Sequence, residues 1–70
     1  MKTLNFLNSA NIRTMQWDAG RLIIKFVGGK QYEYENVPEF VFDEAGKAVS
    51  AGKYFSEHIR GKFKTKQMDK

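Results

Sequence analysis

Apolar and polar positions alternate most cleanly over residues 21–27, where Leu22, Ile24 and Phe26 share one face and Arg21, Ile23, Lys25 and Val27 the other. That period of two predicts a strand. A shorter run at 12–17 predicts the strand before it, joined through Asp18-Ala19-Gly20, a tight turn in which Gly20 takes positive φ at no steric cost. Gly28-Gly29 fits a two-residue primed turn into a third strand at about 30–36, with Tyr32 and Tyr34 on one face and Gln31, Glu33 and Glu35 on the other. The period then lengthens. Pro38 fits a first helical turn, and Val41, Phe42, Ala45 and Val49 form a buried stripe at helical spacing. Gly46 is placed to end or loosen that helix. Ser50 is a good N-cap for a second one, Phe55 and Ile59 anchor it to the sheet four residues apart, and Gly61 stops it. Phe63 adds a last contact. The expected architecture is α+β, a three-stranded antiparallel meander followed by two helices packed on one face.

Seventy residues make one domain, with a core over about 9–63 and a basic, flexible tail at 64–70. A chain of this size buries only about 60% of the surface its unfolded form exposes, so its aromatics carry much of the core. Six Phe, three Tyr and one Trp supply them. The absence of cysteine excludes disulfides, a thiolate nucleophile and a cysteine zinc site. The first residues lack the apolar run and cleavage site of a signal peptide, and no apolar stretch is long enough to span a bilayer. A cytoplasmic protein without membrane contact is the expectation. The net charge of +4 is unevenly spread. Glu33, Glu35, Glu39, Asp43 and Glu44 make the middle acidic; Lys53, Arg60, Lys62, Lys64, Lys66 and Lys70 make the end basic. Such segregation steers a polyanion or an acidic partner to one side, and serves equally as a solubilising tail.

Several segments together carry a family likeness: Ser9-Ala10-Asn11-Ile12, then Leu22-Ile23-Ile24-Lys25-Phe26 before Gly28-Gly29, then Tyr32-x-Tyr34-x-x-Val37-Pro38, and finally Ser50-x-Gly52-x-Tyr54-Phe55-x-x-x-Ile59-Arg60. From about residue 9 to 63 the chain resembles the KTSC domain, named for its occurrence at the C-terminus of some lysyl-tRNA synthetases and found also as small free-standing proteins of bacteria and phages. Trp17 stands where the family usually has Tyr, Gly46 interrupts a helix that is often stronger, and Ser56 replaces a frequent Asn. The resemblance implies no defined chemistry; its association with the synthetase points toward RNA by analogy.

Tyr32 and Tyr34 invite comparison with platforms that stack bases on an open sheet. The plainer reading is core, because they share a face with the apolar strand positions and lie beside Glu33 and Glu35, an unfavourable field for phosphate. Val37, Pro38, Phe55 and Ile59 likewise read as structural family positions. Ser50-Ala51-Gly52-Lys53 places a hydroxyl, backbone donors and a cation at a helix start, where anions bind readily. The spacing is not that of a Walker loop, and an N-cap with a glycine permitting close packing explains it better. His58 has no companions spaced for a metal and no nucleophile or orienting carboxylate, so it reads as a solvent-facing helical residue. Asp43 and Glu44 read as a solvated helix face. No catalytic residue, metal site or cofactor is expected.

Lys53, Arg60, Lys62 and Lys64 form the best candidate contact surface, with Lys53 and Arg60 two helical turns apart on one side. Tyr54 is placed beside them, and Lys30 at the hairpin tip joins only if the fold brings it close. The leading expectation is a non-enzymatic module binding RNA or another polyanion through these cations. The alternative is a protein-interaction adaptor of bacterial or phage origin, using Glu39, Asp43 and Glu44.

Overall fold

The computed structural model describes residues 1–7 and 9–68. In chain order they form β1 (Lys2–Asn5), β2 (Ile12–Asp18), β3 (Arg21–Phe26), β4 (Gln31–Tyr34), α1 (Glu39–Lys47), α2 (Ala51–His58) and β5 (Thr65–Gln67). The strands make one antiparallel sheet in the order β1-β2-β3-β4-β5. The expected α+β meander is present, with five strands in place of three. Both extra strands sit at the edges. The segment expected to be a flexible tail therefore contains a paired strand, since β4 would otherwise leave its ladder groups open and residues 65–67 satisfy them.

Residues directly opposite in a ladder share a face. The rows Leu4, Met15, Ile24, Tyr32 and Lys2, Trp17, Leu22, Tyr34 lie on the helix side. Thr3, Gln16, Ile23, Glu33 and Lys66 make a mostly polar row on the other. Between sheet and helices lie Ile12, Met15, Leu22, Ile24, Tyr34 and Val37, met by Val41, Phe42 and Ala45 of α1, Ala51 of α2, and Ile59. The stripe expected of the first helix holds at three positions and fails at Val49, which is fully exposed: α1 ends at Lys47, and Ala48 is already extended with ψ 145°.

The local signals account for most element ends. Asp18 pairs with Arg21 across Ala19 and Gly20, whose φ values of 50° and 90° are those of a primed two-residue turn. The Gly28-Gly29 loop differs from expectation. Phe26 N–H bonds Lys30 O at 2.8 Å and Gly29 N–H bonds Phe26 O at 3.0 Å, so residues 27–29 form a three-residue loop with positive φ at both glycines. The extra residue is Val27, whose N–H is held by Asn11 O at 2.9 Å. A register shift between Ile12 and Thr14 leaves Arg13 as a bulge.

Val37 explains the Val-Pro motif. Its N–H bonds Gly20 O at 2.8 Å and its carbonyl accepts from Trp17 Nε1 at 2.9 Å, which fixes the entry to α1 against the β2–β3 turn. Asn36 makes the corner at φ 57°. Pro38 is the N-cap residue rather than part of the first turn, with Glu39 next at the positive end of the helix dipole. Gly46 is the penultimate residue of α1, at the end of the helix as expected. Ser50 caps α2 as expected, its Oγ accepting from Lys53 N–H at 3.2 Å. Ile59 closes α2, and Gly61 turns the chain at φ 74°. No described helix is long and apolar enough to cross a membrane.

Candidate functional site

The start of α2 is held against the loop that leads into β2. Ser9 Oγ accepts from the N–H groups of Asn11 and Ile12 at 3.2 and 3.0 Å, setting that loop, and Asn11 lies directly over Gly52. A Cβ on Gly52 would stand 2.9 Å from Asn11 Nδ2, so the glycine permits this approach. Asn11 O in turn holds Val27 at the hairpin tip. Three segments distant in sequence thus converge. Between them lies an open depression of about 420 Å³, bordered by Asn11, Phe26, Val27, Phe55, Ser56 and Arg60. A second, of about 280 Å³, shares Phe26 and Val27 and reaches Lys30 and Tyr32.

The aromatic residues here form a chain. Phe26 meets Tyr32 edge-on at 5.7 Å and Phe55 at 5.3 Å, and Phe55 meets Tyr34 at 5.8 Å. Tyr34 is a core residue at 4% exposure, whereas Tyr32 is half-buried. Burial pushes the Tyr34 phenol up to about 12, an effect that the Tyr32 side chain reinforces and the Arg60 charge opposes.

The four cations singled out from the sequence are not one cluster. Lys53 is exposed on α2. Arg60 lies beyond the end of that helix, its N–H bonded to Phe55 O at 2.8 Å, and borders the larger depression. Lys62 follows in the same turn, held through Ile59 O at 3.0 Å. Lys64 instead stands opposite Glu35, whose N–H bonds its carbonyl at 2.9 Å, and Lys66 opposite Glu33. Lys30, whose place depended on the fold, joins across Phe26 and Val27. Nothing in the spacing of Lys30 and Arg60 announces this; the signal was Gly28-Gly29, which fixes where the hairpin tip folds. Tyr54 turns toward α1, where the Glu44 charge reinforces the upward push of burial on its phenol. It is in ring contact with His58 at 4.5 Å.

Glu39, Asp43 and Glu33 are held in ion pairs. Lys2 Nζ reaches Glu39 Oε2 at 2.7 Å and Asp43 Oδ1 at 2.8 Å while standing 5.6 Å from the Phe42 ring centroid. Its hydrogen bonds to Asp43 and then Glu39 raise its pKa. Arg21 grips Glu33 through Nε at 3.1 Å and Nη2 at 3.0 Å, holding that carboxyl below its ordinary value. Among the described residues, Lys53, Arg60 and Lys62 enter no ion pair. His58 is exposed, with Nε2 4.0 Å from Glu57 Oε1. No group of three or more His, Cys, Asp or Glu among the described residues is arranged to hold a metal.

The family model for the KTSC domain matches residues 8–63. Over 47 residues, 67% of the chain, the sequence is 45% identical to a lysine–tRNA ligase of Trichormus variabilis and 43% identical to one of Nostoc punctiforme. The matching stretch spans only 8% of the length of either ligase. The crystal structure of a KTSC domain protein from Yersinia pestis superimposes with a TM-score of 0.85 over 97% of each chain, at 30% identity. With its tyrosine strand, Val37-Pro38 corner and Ser50-x-Gly52 helix start all in place, the chain belongs to the KTSC domain family.

Proposed function

We propose that this domain is a non-catalytic binding module that takes a polyanion, RNA foremost, at the end of α2. One observation carries the reading: Arg60, Lys62 and Lys53, on or just past α2, enter no ion pair among the described residues, while Lys2 and Arg21 are held by Glu39, Asp43 and Glu33. The charge of the first three stands open to a polyanion at that end of the helix. Lys66 contributes less, because it stands opposite Glu33 in the ladder and its charge acts on that carboxyl. The likeness to a stretch of lysine–tRNA ligases brings RNA forward among polyanions. An NMR titration with tRNA, single-stranded RNA and duplex DNA tests the reading. Shifts at Lys53, Arg60 and Lys62 that reverse on adding salt support it; no shift with any of the three nucleic acids overturns it.

A second reading, a protein-interaction adaptor acting through α1, is favoured by Phe40, which is 66% exposed between Glu39 and the Lys2-bridged Asp43. An exposed phenylalanine offers the kind of aromatic side chain that protein interfaces bury. Under that reading Phe40→Ala abolishes partner capture and leaves nucleic-acid titrations unchanged.

A further inference from the structure

The two depressions at the hairpin tip meet along Phe26 and Val27, and among the described residues neither is bordered by a carboxylate. Each contains one cation, Lys30 in the smaller and Arg60 in the larger. Between these cations runs an apolar strip: the rings of Tyr32, Phe26 and Phe55 in edge-to-face sequence, with Val27 projecting at 45% exposure. Inorganic polyanions would meet the two cations and leave the strip wet. A duplex turns its base faces inward and leaves only phosphates, sugars and groove edges to meet the strip. The surface instead suits a chain that alternates anions with flat apolar groups, and single strands have that make-up.

We infer that this strip seats a single-stranded nucleic-acid segment, with a base against Phe26 and Val27 and flanking phosphates at Lys30 and Arg60. Asn11 and Ser56, on the Arg60 side, offer an amide and a hydroxyl to a base edge. The inference rests on the polyanion reading and narrows its ligand.

The test compares four probes on the full chain at physiological salt: a uridine-rich octamer, the same octamer as DNA, an RNA duplex of equal charge, and inorganic polyphosphate. Base stacking on an aromatic strip predicts that the single strands bind about tenfold or more tightly than the duplex. Amide shifts should centre on Phe26, Val27 and Tyr32. The exposed substitutions Val27→Glu and Lys30→Gln should each weaken single-strand binding about tenfold with the spectrum of the free protein preserved. RNA binding above DNA would place the 2′-hydroxyl in the contact; equal binding would place only base and phosphate there, and both outcomes support the inference. Equal affinity for all four probes, with shifts confined to Arg60 and Lys62, overturns it and leaves the polyanion reading standing. Absence of binding by every probe removes both.

Discussion

Leu4 occupies the space beside Gly46: a Cβ built there would stand 2.8 Å from Leu4 Cδ1, so the methyl would have to move. The glycine that looked like a helix breaker is the place where β1 and α1 touch. Gly46→Ala should raise helix propensity by about 0.8–1 kcal/mol while forcing the Leu4 methyl aside. The two effects oppose, so urea unfolding should find the single variant within about 0.5 kcal/mol of the parent. In a Leu4→Ala background the same change should stabilise by about 0.8–1 kcal/mol, and the double-mutant cycle measures the contact. Additive effects would mean that the two residues do not touch.

Ala19 adopts φ 50° in the β2–β3 turn, a region where a Cβ is strained. Asparagine tolerates it and is favoured before glycine in such turns. Ala19→Asn should therefore stabilise the domain by about 0.5–1 kcal/mol, read as a higher urea midpoint with an unchanged slope.

The Tyr34 phenol carries a pKa of about 12 against an ordinary 10.0, because burial disfavours the phenolate. The folded state therefore holds this proton more tightly than the unfolded chain. Its contribution is complete below about pH 10 and is lost as pH rises toward about 12. Urea titrations across that window should show the parent losing stability relative to Tyr34→Phe, which keeps the ring and has no proton to lose. Parallel pH profiles would remove burial as the cause. Tyr34→Ala should cost about 3–5 kcal/mol, and Tyr32→Ala, at a half-buried position, distinctly less.

The alternation of Leu22, Ile24 and Phe26, the glycine of the first turn and the Ser50 cap were legible because each is decided by residues a few positions apart. β1 and β5 were not. Lys2–Asn5 becomes a strand because Leu4 finds Met15 and Gly46, and Lys2 finds Glu39 and Asp43, all remote in sequence. Thr65–Gln67 has no apolar alternation at all and pairs because β4 has an open edge. For the site, Arg60 and Gly52 stood out on residue type. Lys30 did not, since its place depends on the Asn11–Val27 bond and the resulting three-residue loop. The same tertiary pairing brings the basic tail alongside the acidic strand, with Lys64 and Lys66 opposite Glu35 and Glu33 in the backbone register.

Gly52 separates packing from binding. Valine there would drive a branched side chain into Asn11, whose Cβ is already 3.6 Å from the glycine's virtual Cβ. Overpacking of this kind costs about 1–3 kcal/mol. Gly52→Val should be destabilised to that extent, and adding Asn11→Ala should restore part of the loss. A Gly52→Val variant as stable as the parent would contradict the close approach.

The charge arrangement makes a finer prediction than basicity alone. Phosphate contacts release counterions, so each one lost from a single-strand complex should flatten the plot of log affinity against log salt by about 0.7. Arg60→Gln and Lys62→Gln retain long polar side chains at exposed positions without ion-pair partners among the described residues, so folding should survive. Each should weaken RNA binding and reduce the slope by about 0.7, with the pair approaching about 1.4. Lys64→Gln should change the slope less, because the chain has by then left the turn that carries Arg60 and Lys62 and runs beside Glu35, whose N–H bonds the Lys64 carbonyl at 2.9 Å. Fluorescence anisotropy with a labelled single-stranded RNA at a series of salt concentrations reads all three. Equal slope losses at positions 60, 62 and 64 would mean that the acidic strand does not screen the tail. Slopes unchanged in every variant, with binding intact, would move the contact surface away from the end of α2 altogether.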